Sequence, residues 1–164
     1  MHNPQHMLDE VEGVSKVTKK RDVKAEAKKF LYKTKKGRLY VPARALKGCL
    51  IQAAAYKKAG KFALRPLLAA GIRVDGSEIL LNTNKYELDL RTVVIQRQRV
   101  VKARPKIKNW KLNFKLIIND DLIAPDIIRT VLEEAGERVG ILDYRPANLG
   151  EFGVFKVTKW KEAV

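Results

Sequence analysis

The chain has little with which to cross-link itself or run a reaction. Cys49 is its one cysteine, so no internal disulfide can form. No run of roughly 20 apolar residues could span a bilayer, and no secretory h-region opens the chain. The two histidines, His2 and His6, lie four apart, but Asn3-Pro4 between them breaks a helix and no acid or thiol has helpful spacing, so no metal site is expected. The phosphate-loop pattern GxxxxGK[ST], the nucleophile elbow GxSxG and zinc-ligand clusters are all missing. A nuclease needs a carboxylate cluster or a suitably paired histidine, and neither is evident. Asp120-Asp121 precede a helix and are explained as partners of its positive N-terminal end. The expectation is a soluble, cytoplasmic protein that is not an enzyme and holds no cofactor or metal.

Acidic residues are scarce as well. Against 34 Lys and Arg stand 18 Asp and Glu, a formal charge of +16. Such an excess repels itself unless an anionic partner is present. Its distribution is uneven. Residues 16–61 hold sixteen bases and two acids, a net of +14; residues 91–115 hold nine bases and no acid. Residues 119–151 reverse the sign, with three arginines and eight acids. Segregated charge is what a footprint on a phosphate backbone requires, whereas solubilising charge is spread evenly. A membrane surface would favour a basic helix with aromatics opposite, but residues 19–33 set mostly small residues between their lysines, so no membrane partner is expected.

At 164 residues with 46% hydrophobic content, the chain has length and apolar mass for one core. Residues 1–37 carry no strong period and read as a basic, partly flexible arm, with a short helix around Asp22 to Tyr32 in which Ala25, Ala27 and Phe30 can pack. Residues 38–164 read as the folded domain. Arg38 to Val41 is a short strand. Pro42 opens a helix with Leu46, Cys49, Leu50, Ala53 and Ala54 on one stripe, and Gly60 is a stop. Asp75-Gly76-Ser77 between Ile72–Val74 and Glu78–Leu81 signals a hairpin. Thr92 to Ala103 reads as one extended strand ended by Arg104-Pro105. Trp110 to Ile118 alternates with period two. Pro125 opens a helix with Ile128, Val131, Leu132, Ala135, Gly136 and Val139 on one face, and Gly140 follows its end. A loop from Tyr144 to Gly150 leads to a last strand, Phe152 to Trp160. The order predicts an α+β fold, a ferredoxin-like or RRM-like antiparallel sheet with helices on one face.

The basic strand carries the binding expectation. Arg91, Arg97, Arg99, Lys102 and Arg104, continued by Lys106, Lys108, Lys111 and Lys115, place positive charge at a spacing that can track phosphates. The bland alternative is a solvated face whose edge lysines block aggregation. Arg44 and Lys47 on the first helix add to the set. For unpaired bases an aromatic platform is needed, and Tyr40, Tyr56, Trp110 and Tyr144 are the candidates: Trp110 shares the apolar period with Phe114 and reads as core, and Tyr144, in a loop beside Arg145, is the better stacking candidate.

Three stretches carry a family resemblance. Val41-Pro42-Ala43-Arg44-Ala45-Leu46-Lys47-Gly48 resembles the strand-to-helix IPGSSLKG segment of the RAMP superfamily, which includes backbone subunits of CRISPR effector complexes. The basic strand through Arg104-Pro105 into Trp110 fits the same pattern. Gly140-Ile141-Leu142-Asp143-Tyr144-Arg145-Pro146, leading to Gly150-Glu151-Phe152, resembles a GxGDYRPxxGRF loop of small RAMP-like proteins from bacterial viruses. The resemblance implies a modified ferredoxin fold, RNA binding along a basic surface and head-to-tail assembly, in a prokaryotic or virus-infected prokaryotic cell. Two departures stand out: Pro42-Ala43-Arg44 replaces the small Gly-Ser-Ser turn, and Asn148-Leu149-Gly150-Glu151 puts an acid where the loop has a basic end. Relatives also carry an apolar strand before an HNP-like segment, whereas this sequence starts at Met1-His2-Asn3-Pro4; a missing edge strand leaves a gap for another segment. The expected function is a noncatalytic RNA- or single-stranded-DNA-binding subunit that coats its ligand as a homo-oligomer or within a multi-subunit ribonucleoprotein. The alternative is a structural assembly protein, ribosome-associated or part of a virion, that packs nucleic acid permanently.

Overall fold

The computed structural model describes residues 22–59 and 62–162. Most of the basic arm, both histidines and the Gly60 stop lie outside them. Among the described residues the order is α1 (Val23–Lys29), β1 (Tyr40–Pro42), α2 (Ala43–Ala53), β2 (Lys58–Ala59), β3 (Phe62–Ala63), α3 (Leu64–Gly71), β4 (Ile72–Val74), β5 (Glu78–Leu80), β6 (Glu87–Ile95), β7 (Gln98–Lys106), β8 (Leu116–Ile118) and α4 (Pro125–Glu134). The fold is α+β. Its described strands pair antiparallel in twos: β1 with β5, β2 with β3, β4 with β8 and β6 with β7. The described residues cluster into two compact units, one running up to Leu39 and including Leu81–Lys111, the other made of those from Tyr40–Leu80 and from Leu112 onward.

The larger unit holds most of the buried apolar side chains. Leu46, Cys49, Leu50 and Ala53 of α2 and Ala54 after it are all buried, as the 3.6-residue stripe dictates. The facing stripe on α4 buries Ile128, Val131 and Leu132, and a π-turn over Ala135–Val139 continues it through Ala135, Gly136 and Val139. Fully burying a Leu, Ile or Val stabilises by about 1.5–3 kcal/mol, so these two faces hold the unit together. α3 adds Leu64 and Leu68. The sequence pattern hides this helix because Pro66 sits in it; in the first turn, where no intrahelical N–H is required, proline is tolerated.

Four strand expectations are corrected. Asp75-Gly76-Ser77 does form a turn, with Gly76 at φ +77°, but its flanks part: β4 pairs β8 and β5 pairs β1, so no hairpin forms there. Turn chemistry sets the reversal and not the partner. Phe152 to Trp160 runs without a strand ladder; its amides at Phe152 and Phe155 bond to loop and helix-end carbonyls of Tyr144 and Gly136. From Trp110 to Ile118 the burial alternates as predicted, yet only Leu116–Ile118 is a named strand.

The fourth correction lies in the smaller unit. Thr92 to Ala103 is the end of a hairpin and not one strand: β6 and β7 pair over nine residues each, from Glu87↔Lys106 to Ile95↔Gln98. Gln96 and Arg97 make the two-residue turn with φ of 48° and 65°, the two positive values of a type I′ turn. Neither residue is the usual Asn or Gly, which hides the reversal within a Val-rich run. α1 lies against β7, capped by Asp22, whose carboxylate accepts from the Lys24 and Ala25 amides.

Leu50→Ala is expected to destabilise the folded chain by about 2–5 kcal/mol in urea titration, through lost transfer energy and the cavity left behind. Val94→Ala, at a side chain 69% exposed, is expected to stay within about 0.5 kcal/mol of the parent.

Candidate nucleic-acid interface

The β6–β7 register decides what the basic stretch can do. Residues directly opposite share a face, so Glu87, Asp89, Arg91 and Val93 of β6 lie with Val100, Lys102, Arg104 and Lys106 of β7. Two acids from just outside the acid-free stretch are thereby set among its cations. Arg91 Nε donates to Asp89 Oδ2 at 2.7 Å, and Lys108 Nζ bridges to Glu87 Oε2 at 2.7 Å. Lys106 lies opposite Glu87 and Arg104 opposite Asp89. Without those carboxylates, the directly opposed Arg91 and Lys102 would repel.

Toward the turn, the compensation stops. Arg97, in the turn, and Arg99, on β7, are exposed, and neither has an ion-pair partner among the described residues. Thr92, Val93, Val94, Gln96 and Gln98 around them are exposed too, on both faces of the ribbon. This end of the hairpin presents guanidinium groups with amide and small apolar neighbours, which suits phosphates and sugars better than a buried ion.

α1 covers the same face of β7. Lys102 Nζ meets Glu26 Oε1 at 3.7 Å, with both side chains partly exposed, and the Arg104 guanidinium carbon sits 3.6 Å from the centre of the Phe30 ring. An exposed ion pair contributes about 0–1 kcal/mol and a cation–π contact about 0.5–2 kcal/mol. Of α1 itself only Ala27 is buried. An open cleft of about 440 Å³ runs alongside, lined by Asp22, Ala25, Glu26, Lys29, Val100 and Lys102. The sequence assigns Phe30 a packing role; its stacking on Arg104 could not be foreseen, because it depends on the hairpin register.

Arg44, Lys47, Tyr144 and Arg145 belong to the larger unit. Arg44 is exposed on the first turn of α2. Lys47 donates from Nζ to the Ala69 carbonyl at 2.9 Å. Tyr144 is 42% exposed and meets Phe152 edge-on at 5.5 Å between ring centres. Arg145 is turned inward, where Nη1 donates to the Leu142 carbonyl at 3.0 Å and Nη2 to Gln52 Oε1 at 3.4 Å. It clamps a loop whose backbone is left-handed at Leu142, Tyr144 and Leu149. Gly150 is required there, since a Cβ would run into the Tyr144 backbone. Tyr144 thus keeps a ring accessible for stacking, and Arg145 holds the loop that presents it.

Arg73, a cation the sequence reading did not single out, shares an exposed face of the β4–β8 pair with Lys115. Arg73 lies opposite Ile117, and Lys115, whose carbonyl accepts from the Asp75 amide at 2.9 Å, continues that face. The signal for Lys115 in the sequence is the polar side of the alternation over residues 110–118; Arg73 joins it only through the β4–β8 pairing.

Two groups have displaced ionisation. Glu134 is held below the usual carboxylate range, first by its hydrogen bond from Lys57 and then by the charge of Arg138. Burial pushes the Cys49 thiol up to about 12, against a smaller opposing pull from Arg145. Its Sγ donates to the Ala135 carbonyl at 3.6 Å. Among the described residues no group of three His, Cys, Asp or Glu could hold a metal ion, and no helix is long and apolar enough to cross a membrane. No protein-family model matches the chain, and no curated protein is significantly similar to it in sequence.

The raised Cys49 pKa has a checkable sign. A neutral buried thiol contributes its full stability below about pH 9, and that contribution is lost as pH rises from 9.0 toward about 12. At pH 8 the native thiol is therefore expected to resist a disulfide reagent that labels it rapidly in denaturant; fast labelling of the native protein would contradict its burial.

Proposed function

We propose that this chain is a noncatalytic nucleic-acid-binding subunit that holds RNA or single-stranded DNA by its phosphates and coats it as an oligomer. The fold we assign to it is the ferredoxin-like, RRM-like arrangement of the RAMP superfamily, on the three sequence stretches that resemble it. One observation carries the binding reading. The hairpin sorts its cations, so those nearer its open end face carboxylates while Arg97 and Arg99 at the turn end do not. A solvated face built only for solubility has no reason to sort charge in this way, and a phosphate ligand supplies the missing counter-charge.

In this reading Arg97 at the turn takes the first phosphate, Arg99 offers a contact on one face of the ribbon, and Lys102, Arg104 and Lys106 extend the track along the other face of β7. Arg91 and Lys108, already paired, shape the local field. The larger unit has candidate contacts of its own: Arg44 and Lys47 contribute charge from α2, and Tyr144 stacks on a base or sugar from the loop that Arg145 braces. Binding of this kind tolerates sequence because every base offers a π face and every nucleotide a phosphate.

The test is salt dependence. The logarithm of affinity for a 20-nucleotide single strand is expected to fall linearly with the logarithm of salt between 50 and 200 mM, at about −0.7 per phosphate contact. The double variant Arg97→Ala/Arg99→Ala is expected to weaken binding and make that slope shallower by about 1.4, two contacts' worth. A flat salt response of the parent, or a variant that matches the parent, contradicts the proposal.

A further inference from the structure

The geometry points to α1 as an internal cover on the nucleotide-binding face of β7, occupying in the free protein a subsite formed by Lys102 and Arg104 for one base and one phosphate of a single strand. This rests on the reading of the chain as a single-strand binder and adds to it a named subsite with its regulation.

The observations are of three kinds. The first is chemical. Glu26 offers Lys102 an oxyanion at 3.7 Å, as a phosphate would, and Phe30 offers Arg104 an aromatic face at 3.6 Å, as a base would. α1 thus presents to β7 both halves of a nucleotide, the charged and the stacked. The second is spacing. Lys102 and Arg104 are two residues apart on one face of a strand, about 6.8 Å at 3.4 Å per residue, so a ligand can engage both at once. The third is the looseness of the cover. α1 has seven residues, well under the roughly 12–15 that a helix needs to persist by itself in water. It buries Ala27 alone, Phe30 is 43% exposed, and the cleft between α1 and β7 is open.

A single strand and α1 therefore compete for the same two cations. Release of α1 frees the stack and the ion pair together, and Lys24, Lys28 and Lys29, which α1 carries, remain tethered close to the ligand. Apparent affinity is lowered by the fraction of molecules in which α1 is seated. If α1 is seated in about ten molecules of every eleven, its removal tightens binding about tenfold.

Two variants that leave net charge unchanged test this. Ala27→Pro breaks α1 at its buried residue, and Phe30→Ala removes the stack on Arg104. Each is titrated by fluorescence anisotropy with a 20-nucleotide oligouridylate at fixed salt, beside the parent. The expected result is about tenfold tighter binding by Ala27→Pro and a smaller gain by Phe30→Ala, with both gains abolished when Arg104→Ala is added. If the parent binds and both variants bind equally or more weakly, α1 is part of the site or irrelevant to it, and the cover is refuted. If neither the parent nor either variant binds the oligonucleotide at any salt, the single-strand reading itself fails, an outcome distinct from the first. A gain that survives Arg104→Ala overturns the assignment of the subsite while leaving binding intact.

Discussion

The register of one hairpin decides how the charge of this protein is used. Because β6 and β7 pair with Glu87 opposite Lys106 and Asp89 opposite Arg104, the acids that end just before the basic stretch are folded back onto it. A one-residue slip would set Glu87 and Asp89 on the face opposite Lys102, Arg104 and Lys106 and part Lys108 from Glu87, while the Asp89–Arg91 pair, two residues apart on β6, would persist. The register is fixed by a tight type I′ turn at Gln96-Arg97, and that same turn places Arg97 where no described acid reaches it. Neutralised charge near the open end and uncompensated charge at the turn thus have a single cause.

The two units do different physical work. In the larger one, two apolar helix faces and their continuation through a π-turn bury most of the core, and a glycine-dependent loop is clamped by an arginine between Gln52 and the Leu142 carbonyl. Rigidity there comes from packing. Among its described residues the smaller unit buries few apolar side chains, Ala27, Leu39, Leu81 and Ala103, and they are held by ladder bonds, ion pairs and the Arg104–Phe30 stack. Contacts of that kind are individually weak and sensitive to a competing polyanion. A binding surface made of them can be exchanged for ligand contacts at small cost.

Much of this is legible in the sequence where the signal is periodic. The stripes of α2 and α4 and the alternation from Trp110 to Ile118 are each visible as spacing, and burial follows them. What is not legible depends on who pairs with whom. Asp75-Gly76-Ser77 announces a turn but cannot announce that β4 goes to β8 and β5 to β1. Gln96-Arg97 lacks the Asn-Gly signature, so a nine-residue hairpin passes for one strand. Phe152 to Trp160 has the composition of a strand and finds no ladder. At the candidate site the cations are identifiable by type, and their sorting into paired and uncompensated sets is mostly not, because Glu26 and Glu87 reach Lys102 and Lys108 only through tertiary placement; the Asp89–Arg91 pair, two residues apart on β6, is the local exception. Arg145 likewise reads in sequence as a ligand contact and is found bracing a loop.

The central claim is that the β6–β7 hairpin is where nucleic acid is held, and ultraviolet cross-linking of the full-length chain to a 20-nucleotide RNA, with the cross-linked peptides sequenced, tests it most directly. The account predicts adducts concentrated on residues 91–106, with Tyr144 as the expected site in the larger unit. Adducts confined to α4 and its flanks, or none above those given by an uncharged polymer control, would contradict it.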